Sequence, residues 1–252
     1  SLSKIKNSAM LKVAEEFNQI VLMIVTNVLI PLVPIYIGCV FAKLSYSGEI
    51  FNTLKSFGIV YVLLFALQLT YICIQYCIAG AIKKQNPFKL IKNMVPAYMT
   101  AVGTQSSAAT IPVTLQCVKK NDVNEEVLDF VVPLGATIHL AGDTITLVLT
   151  SMAVMYMNGQ TPTFGMIMPF IFMLGVTMVA APGVPGGGVM AALGLLESML
   201  GFGAIEKPIM IALHAAQDSF GTATNVTGDG AIAILVDYII NKKKGNSISK
   251  ED

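Results

Sequence analysis

The sequence predicts an all-α membrane protein with broken transmembrane helices and two re-entrant helical hairpins. Three observations carry that reading. Hydrophobic residues make up 54% of the 252 and charged residues only 12%, too little charge to cover a water-soluble domain of this size. Apolar runs long enough to cross a bilayer follow one another along most of the chain. Two of these runs are interrupted at their centres by polar and helix-breaking residues. A net charge of +1 leaves no basic field for nucleic acid.

Phe17 to Ala42 is the first run and carries Pro31 and Pro34, which membrane helices tolerate. Ser56 to Ile82 is the second. Met94 to Val118 is free of charge, but its middle reads Gly103-Thr-Gln-Ser-Ser-Ala-Ala-Thr-Ile-Pro112, so it is expected to form two half-helices meeting at a loop. Phe130 to Tyr156 is a crossing helix, expected to break at Gly142-Asp143. Phe164 to Leu200 holds Ala180-Ala-Pro-Gly-Val-Pro-Gly-Gly-Gly188 at its centre and is the second candidate hairpin. Pro208 to Ile240 is the last crossing helix. The four cysteines (Cys39, Cys73, Cys77, Cys117) have no metal-ligand spacing and are expected to be small buried hydrophobes.

Lysine placement tests this topology independently. All sixteen basic residues are lysines; with each hairpin entering and leaving on one side, only Lys43, Lys55 and Lys207 fall opposite the rest. That bias assigns the lysine-rich side, and with it the C-terminus, to the cytoplasm of a multi-pass protein of the cell membrane. Counting either hairpin as a full crossing degrades the split.

Ionisable residues within such segments are functional suspects, because each costs roughly 2.5–3.5 kcal/mol to insert. His139, Asp143, Glu197, His214, Asp218 and Asp229 qualify; Glu197 and His214 fit an interfacial position equally well, and Asp237 lies near the terminal lysines. His139 and Asp143 are four apart, hence on one helical face. Asp218, Thr222, Asn225 and Asp229 step by three or four and form a polar stripe that must face a partner or a cavity. Two broken segments together suggest a midplane site built from half-helix ends, whose N–H groups suit a carboxylate and whose carbonyls suit a cation.

Four ordered motifs now carry a resemblance: Thr104-Gln-Ser-Ser-Ala-Ala-Thr-Ile-Pro112, Pro133-Leu-Gly-Ala-Thr-Ile138, Pro182-Gly-Val-Pro-Gly-Gly-Gly188, and Asp218-x-x-x-Thr-x-x-Asn-Val-x-Gly-Asp229. Together they resemble the dicarboxylate/amino acid:cation symporter family, which includes glutamate transporters and sodium:serine/threonine symporters. The resemblance covers the C-terminal transport core and implies a glutamate-transporter-like fold. Residues 1–46 would be a scaffold-type helix. Residues 47–252 would be the transport domain: a helix, hairpin 83–118, helix 124–157, hairpin 164–203 and helix 207–241. It also implies a homotrimer for the full-length protein and sodium, with protons possible, as coupling ion.

By the same resemblance, Ser106 and Ser107 take a substrate carboxylate, with Gly183, Val184 and Pro185 closing over it. Asp218, Thr222 and Asn225 hold the amino group, and Asp143 lies near the substrate side chain. One sodium is expected on carbonyls of Gly135, His139 and Asn225 and on the Asp229 carboxylate. A second is expected near Thr137 and the second hairpin (Met178, Val179, Ala181). Oxygen ligands of this kind suit a hard cation.

The departures from the family pattern bear on substrate. The seventh-helix Asn-Met-Asp-Gly-Thr motif is His139-Leu-Ala-Gly-Asp143 here, the eighth-helix Arg is Gly221, and the first-hairpin Arg is Gln105. The expectation is therefore symport of an amino acid, neutral and polar rather than acidic, with a glutamate, aspartate or dicarboxylate carrier as the alternative. An ion channel is the alternative from another class; its repeated filter carbonyls or charged rings are not visible. An enzyme is not expected, because Ser106 and His139 are the only conceivable nucleophile and base and no nucleophile-elbow spacing surrounds the serine.

Overall fold

The computed structural model describes residues 50–248 continuously, and isolated positions between 13 and 46. The first expected crossing helix and the scaffold assignment 1–46 therefore lie outside the continuously described residues. Contacts divide the chain into Ser1–Ile50 and Phe51–Asp252, and both expected hairpins fall in the second unit.

All regular structure among the described residues is helical. Helix α1 spans Ile50–Lys83. Leu64, Gln68, Ile72, Tyr76 and Ala79 are buried along it, a recurrence every three or four residues that marks one face. Its other face exposes Ile59, Val62, Phe65 and Leu69, an apolar exterior suited to lipid and not to water.

Cys73 and Cys77 lie on that exterior, and Cys39 is exposed as well; only Cys117 is buried. The expectation of four buried thiols is corrected accordingly. A membrane helix gains nothing by turning a weakly polar thiol inward, because its outer surface is as apolar as a core.

Helix α2 (Pro87–Thr104) begins at Asn86, whose Oδ1 accepts the Phe88 N–H at 2.9 Å, with Pro87 as first helical residue. It ends at Gln105 in the left-handed conformation (φ 52°). Helix α3 (Ser107–Lys119) starts two residues later, capped by Ser106, whose Oγ accepts from the Ala109 N–H at 3.2 Å. The first broken segment is thus a helical hairpin with its tip at Gln105-Ser106. Helices α6 (Phe164–Met178) and α7 (Gly187–Leu200) make a second antiparallel pair. Its tip is the 179–186 stretch, in which Gly186 adopts φ 72°.

Helices α4 (Glu125–Ile138) and α5 (Ala141–Met157) derive from one apolar run. The break falls at His139 (φ −102°, ψ 82°) and Leu140 (φ −107°, ψ 48°), not at Gly142-Asp143 as expected. Gly142 and Asp143 instead lie in the first turn of α5. Glycine suggested a helix breaker, yet Gly142 serves close contact with a neighbouring helix, whose Gly221 carbonyl oxygen a Cβ here would strike.

Helix α8 (Glu206–Ile248) runs unbroken through the domain. Two apolar cores lie along it. Tyr76, Leu90, Met94, Val131 and Ile234 belong to one, between α1, α2, α3, α4 and the C-terminal part of α8. Leu147, Phe170, Leu174, Leu196 and Met210 belong to the other, between α5, α6, α7 and its N-terminal part. The polar stripe of α8 lies between these cores, where both hairpin tips arrive. Among the described residues, three stretches are long and apolar enough to cross a membrane: Phe57–Lys83, Glu125–Met157 across the break, and Glu206–Lys242.

A polar network fastens the base of the first hairpin. Lys83 Nζ lies 3.6 Å from Asp237 Oδ2, donates to Asn121 O at 3.0 Å, and also donates to Asp122 O. Asp237 Oδ1 accepts the Asn124 N–H at 3.2 Å. Removing one partner of a buried pair leaves the other charge uncompensated. Asp237→Ala is expected to lower unfolding stability in detergent by about 3 kcal/mol, with Asp237→Asn less damaging because it keeps the acceptor for Asn124. Equal melting temperatures for both variants and the parent would refute this.

Candidate functional site

Asp218 stands on α8 where the second tip reaches it: the Gly186 N–H donates to Asp218 Oδ2 at 2.7 Å. The Thr222 hydroxyl, one turn on, is 3.4 Å from Asp218 Oδ1, a long contact that leaves this oxygen the freer of the two. The tips also meet each other. Ser106 Oγ donates to Gly183 O at 2.9 Å, and the Ala108 N–H approaches the same oxygen at 3.4 Å. Gln105 links the first tip to α8 through its Nε2 and Ser219 Oγ, 2.9 Å apart. Ser106, Gly183, Gly186 and Asp218 therefore form one connected group, with Ser107 buried at the start of α3 and Val184 and Pro185 half-buried in the second tip.

Asn225 joins this group to α5. Its Oδ1 accepts the Gly142 N–H at 2.7 Å and its Nδ2 donates to Asp143 Oδ2 at 2.5 Å. Asp143 is 3% exposed, and its Oδ1 lies 2.7 Å from His214 Nε2. Glycines make these approaches possible. A Cβ on Gly142 would collide with the carbonyl oxygen of Gly221, and one on Gly188 would come within 2.6 Å of Asp143 Oδ1.

His214 is 1% exposed and belongs to this cluster. Glu197, in contrast, is exposed and paired with Lys207 at 2.8 Å. Sequence spacing held a signal for His214. It precedes Asp218 by four residues, on the same face of the helix, so the polar stripe extends one turn further than Asp218–Asp229.

A second polar group surrounds Asp229, which is 1% exposed. His139 Nδ1 lies 2.9 Å from Asp229 Oδ1 and 3.2 Å from Asn225 O. Its Nε2 lies 3.2 Å from the Tyr71 hydroxyl, which accepts from Gln75 Nε2 at 2.8 Å. The hydrogen-bond pattern assigns the proton to Nδ1, leaving Nε2 to accept from Tyr71. Gly135 packs against the Asp229 carboxylate, and its carbonyl accepts the His139 N–H at 2.8 Å. Neither Tyr71 nor Gln75 was legible as a site residue, since each sits in a plain apolar run.

Gly135, His139, Asn225 and Asp229 are thus brought together. For Thr137, Met178, Val179 and Ala181 the link is indirect: the second tip rests on α4 through Gly183, which faces the Ala136 carbonyl. Val179 is 57% exposed, and the Thr137 hydroxyl turns back to Leu134 O at 2.8 Å.

Comparison with known proteins agrees with this architecture. Excitatory amino acid transporter 1 of Ambystoma tigrinum is 30% identical over 180 residues, covering 68% of this chain and 33% of the relative. The human protein of the same name is 30% identical over 179 residues, with the same coverage. Human Neutral amino acid transporter A is 29% identical over 165 residues, covering 64% of this chain and 31% of the relative. The chain spans about a third of the length of these curated relatives. The Sodium:dicarboxylate symporter family matches residues 1–239. By that match, the chain belongs to the sodium:dicarboxylate symporter family.

Proposed function

We propose that residues 47–252 form the transport domain of a cation-coupled symporter whose substrate is an amino acid, neutral and polar in preference to acidic. The observation that supports this most directly is the convergence of both hairpin tips on Asp218, through Ser106–Gly183 and Gly186–Asp218. Each hairpin would enter and leave the membrane on the cytoplasmic side, with the C-terminus there, in a multi-pass protein whose full-length form is a homotrimer.

The substrate carboxylate would lie at the start of α3, against Ser106 and Ser107, beneath Gly183, Val184 and Pro185. Its ammonium group would use the freer Oδ1 of Asp218, with Thr222 and Asn225 beside it. Sodium is the coupling ion proposed, as a co-transported substrate, at Gly135, His139, Asn225 and Asp229 and at Thr137, Met178, Val179 and Ala181. The first set offers the harder charge, the Asp229 carboxylate, although His139 already donates to one of its oxygens. Protons are the alternative coupling ion.

The preference against acidic substrates follows from the charges that line the site. Burying a second carboxylate needs a cation or several donors. The sequence has no Arg, and all its basic residues are lysines outside the tips and the polar stripe.

A thermal-shift panel in detergent tests the reading. Serine or threonine with sodium is expected to raise the melting temperature of the full chain, since a ligand bound only by the folded state at 100 times its Kd adds about 2.7 kcal/mol. Aspartate and glutamate are expected to shift it less. Tightest binding by an acidic amino acid would move the assignment to the glutamate, aspartate or dicarboxylate carrier.

A further inference from the structure

We propose that His214 sets the charge class of the substrate: by engaging Asp143, it closes the pocket to cationic side chains and leaves it suited to uncharged ones. The proposal rests on the reading of Asp218 as the ammonium site.

A buried aspartate with a free oxygen beside a substrate side chain would suit a second ammonium group. The structure answers otherwise. Asp143 Oδ1 lies 2.7 Å from His214 Nε2, and Oδ2 accepts from Asn225 Nδ2 at 2.5 Å. A third approach is blocked, since Gly188 at the start of α7 packs so closely that even a Cβ would stand 2.6 Å from Oδ1. Both carboxylate oxygens therefore have a donor, and the remaining side is covered by backbone. A substrate ammonium directed at Asp143 would displace a buried partner and strand it, at full desolvation cost.

Asp218 differs. One of its oxygens is held by the Gly186 N–H, and the other has only the long Thr222 contact. One atom each of Asp143, His214 and Asp218 lies within 4.8 Å of the others, so the two carboxylates repel unless something lies between them. His214 Nε2 engages the Asp143 carboxylate, and the substrate's own ammonium would lie against the Asp218 carboxylate. A second positive charge on the substrate has no acceptor left. His214 touches Asp143 and not the substrate, so it is a positioning residue.

The cluster could also be read as a metal site. The donors already in place leave Asp143 little capacity for an ion, which favours the hydrogen-bonded reading.

Competition binding of serine, lysine and glutamate to the full chain in nanodiscs, with sodium present, tests the proposal. The parent is expected to prefer serine to lysine by at least about tenfold, the selectivity that one unmatched buried charge readily supplies. His214→Ala uncovers Asp143 Oδ1, and the serine-to-lysine ratio should fall by about tenfold or reverse. His214→Ala combined with Asp143→Asn should restore the preference, and His214→Asn, which keeps a side-chain N–H, should change it least. A purely structural role for His214 would weaken all three ligands together and leave the ratio unmoved; that result overturns the proposal. If His214→Ala does not fold, Asp143→Asn decides, because a carboxylate without a free oxygen can be exchanged for an amide with the ratio held within about threefold. A tenfold loss of lysine binding in Asp143→Asn would show that Asp143 meets the substrate and would overturn the inference. A parent that binds none of these amino acids overturns the transport reading along with this one, whereas serine binding with an unmoved ratio overturns this one alone.

Discussion

Gly142→Ala is expected to abolish substrate binding and to destabilise the domain, while Gly221→Ala, across the same helix contact, leaves both nearly intact. The asymmetry comes from where each Cβ would point. At 142 it would strike the Gly221 carbonyl oxygen, and the next nearest atoms are also backbone. Backbone within α8 cannot move aside without breaking its own hydrogen bonds, so α5 must shift instead. That shift takes the Gly142 N–H from Asn225 Oδ1 and carries Asp143 with it. Overpacking costs roughly 1–3 kcal/mol, and an unsatisfied buried amide adds about as much again. At 221 the nearest atoms to a Cβ are 3.6, 3.7 and 3.8 Å away, ordinary contact. Sodium-supported binding of serine and the melting temperature of each variant measure the difference. Equal losses in the two would mean that the crossing of α5 and α8 is not fixed by this contact.

Gly142 also shows where sequence reading was sound and where it stopped. The apolar runs and their polar interruptions located every described helix, because burial in lipid forces hydrophobicity on whole segments and forces irregular backbone into a few places. What a run cannot reveal is why a glycine is in it. The conformational and the packing explanations look alike in one dimension, and the expected break at Gly142-Asp143 rested on the first. The observed break, at His139-Leu140, consists of residues with no breaking tendency of their own. It is held by tertiary bonds: the imidazole of His139 is tied to Asp229 and Asn225 on α8 and to Tyr71 on α1.

For the site, the stripe of Asp218, Thr222, Asn225 and Asp229 was legible because helical spacing puts polar residues on one face of an apolar helix. His214 extends that stripe, but its distance from the hairpin motifs left an interfacial position equally open. Tyr71 and Gln75 had no signal. A tyrosine and a glutamine in a long apolar helix are unremarkable until the partner that accepts from the tyrosine is known, and that partner, His139, is 68 residues from Tyr71.

Asp229→Asn is expected to leave the domain folded and to weaken sodium-dependent substrate binding by about tenfold or more, since it removes the one full negative charge of the proposed sodium site, and ligand charge count tunes cation affinity. The structure separates the two effects. Asparagine has nearly the volume of aspartate and keeps an oxygen for His139 Nδ1, now 2.9 Å from Asp229 Oδ1. The fold is thereby spared, and Gly135, which packs directly on this carboxylate, meets no new atom. Asp229→Ala removes the acceptor as well. It leaves the imidazole N–H only the Asn225 carbonyl, at 3.2 Å, and should cost a further 1–3 kcal/mol or about that in stability. Titrating sodium at fixed serine and following thermal unfolding for both variants gives the two readouts. If Asp229→Asn binds serine with an unchanged sodium requirement, Asp229 is a structural partner of His139 and not a cation ligand. If Asp229→Asn unfolds as readily as Asp229→Ala, then the charge of Asp229, and not its oxygen, holds His139 and the break between α4 and α5 in place.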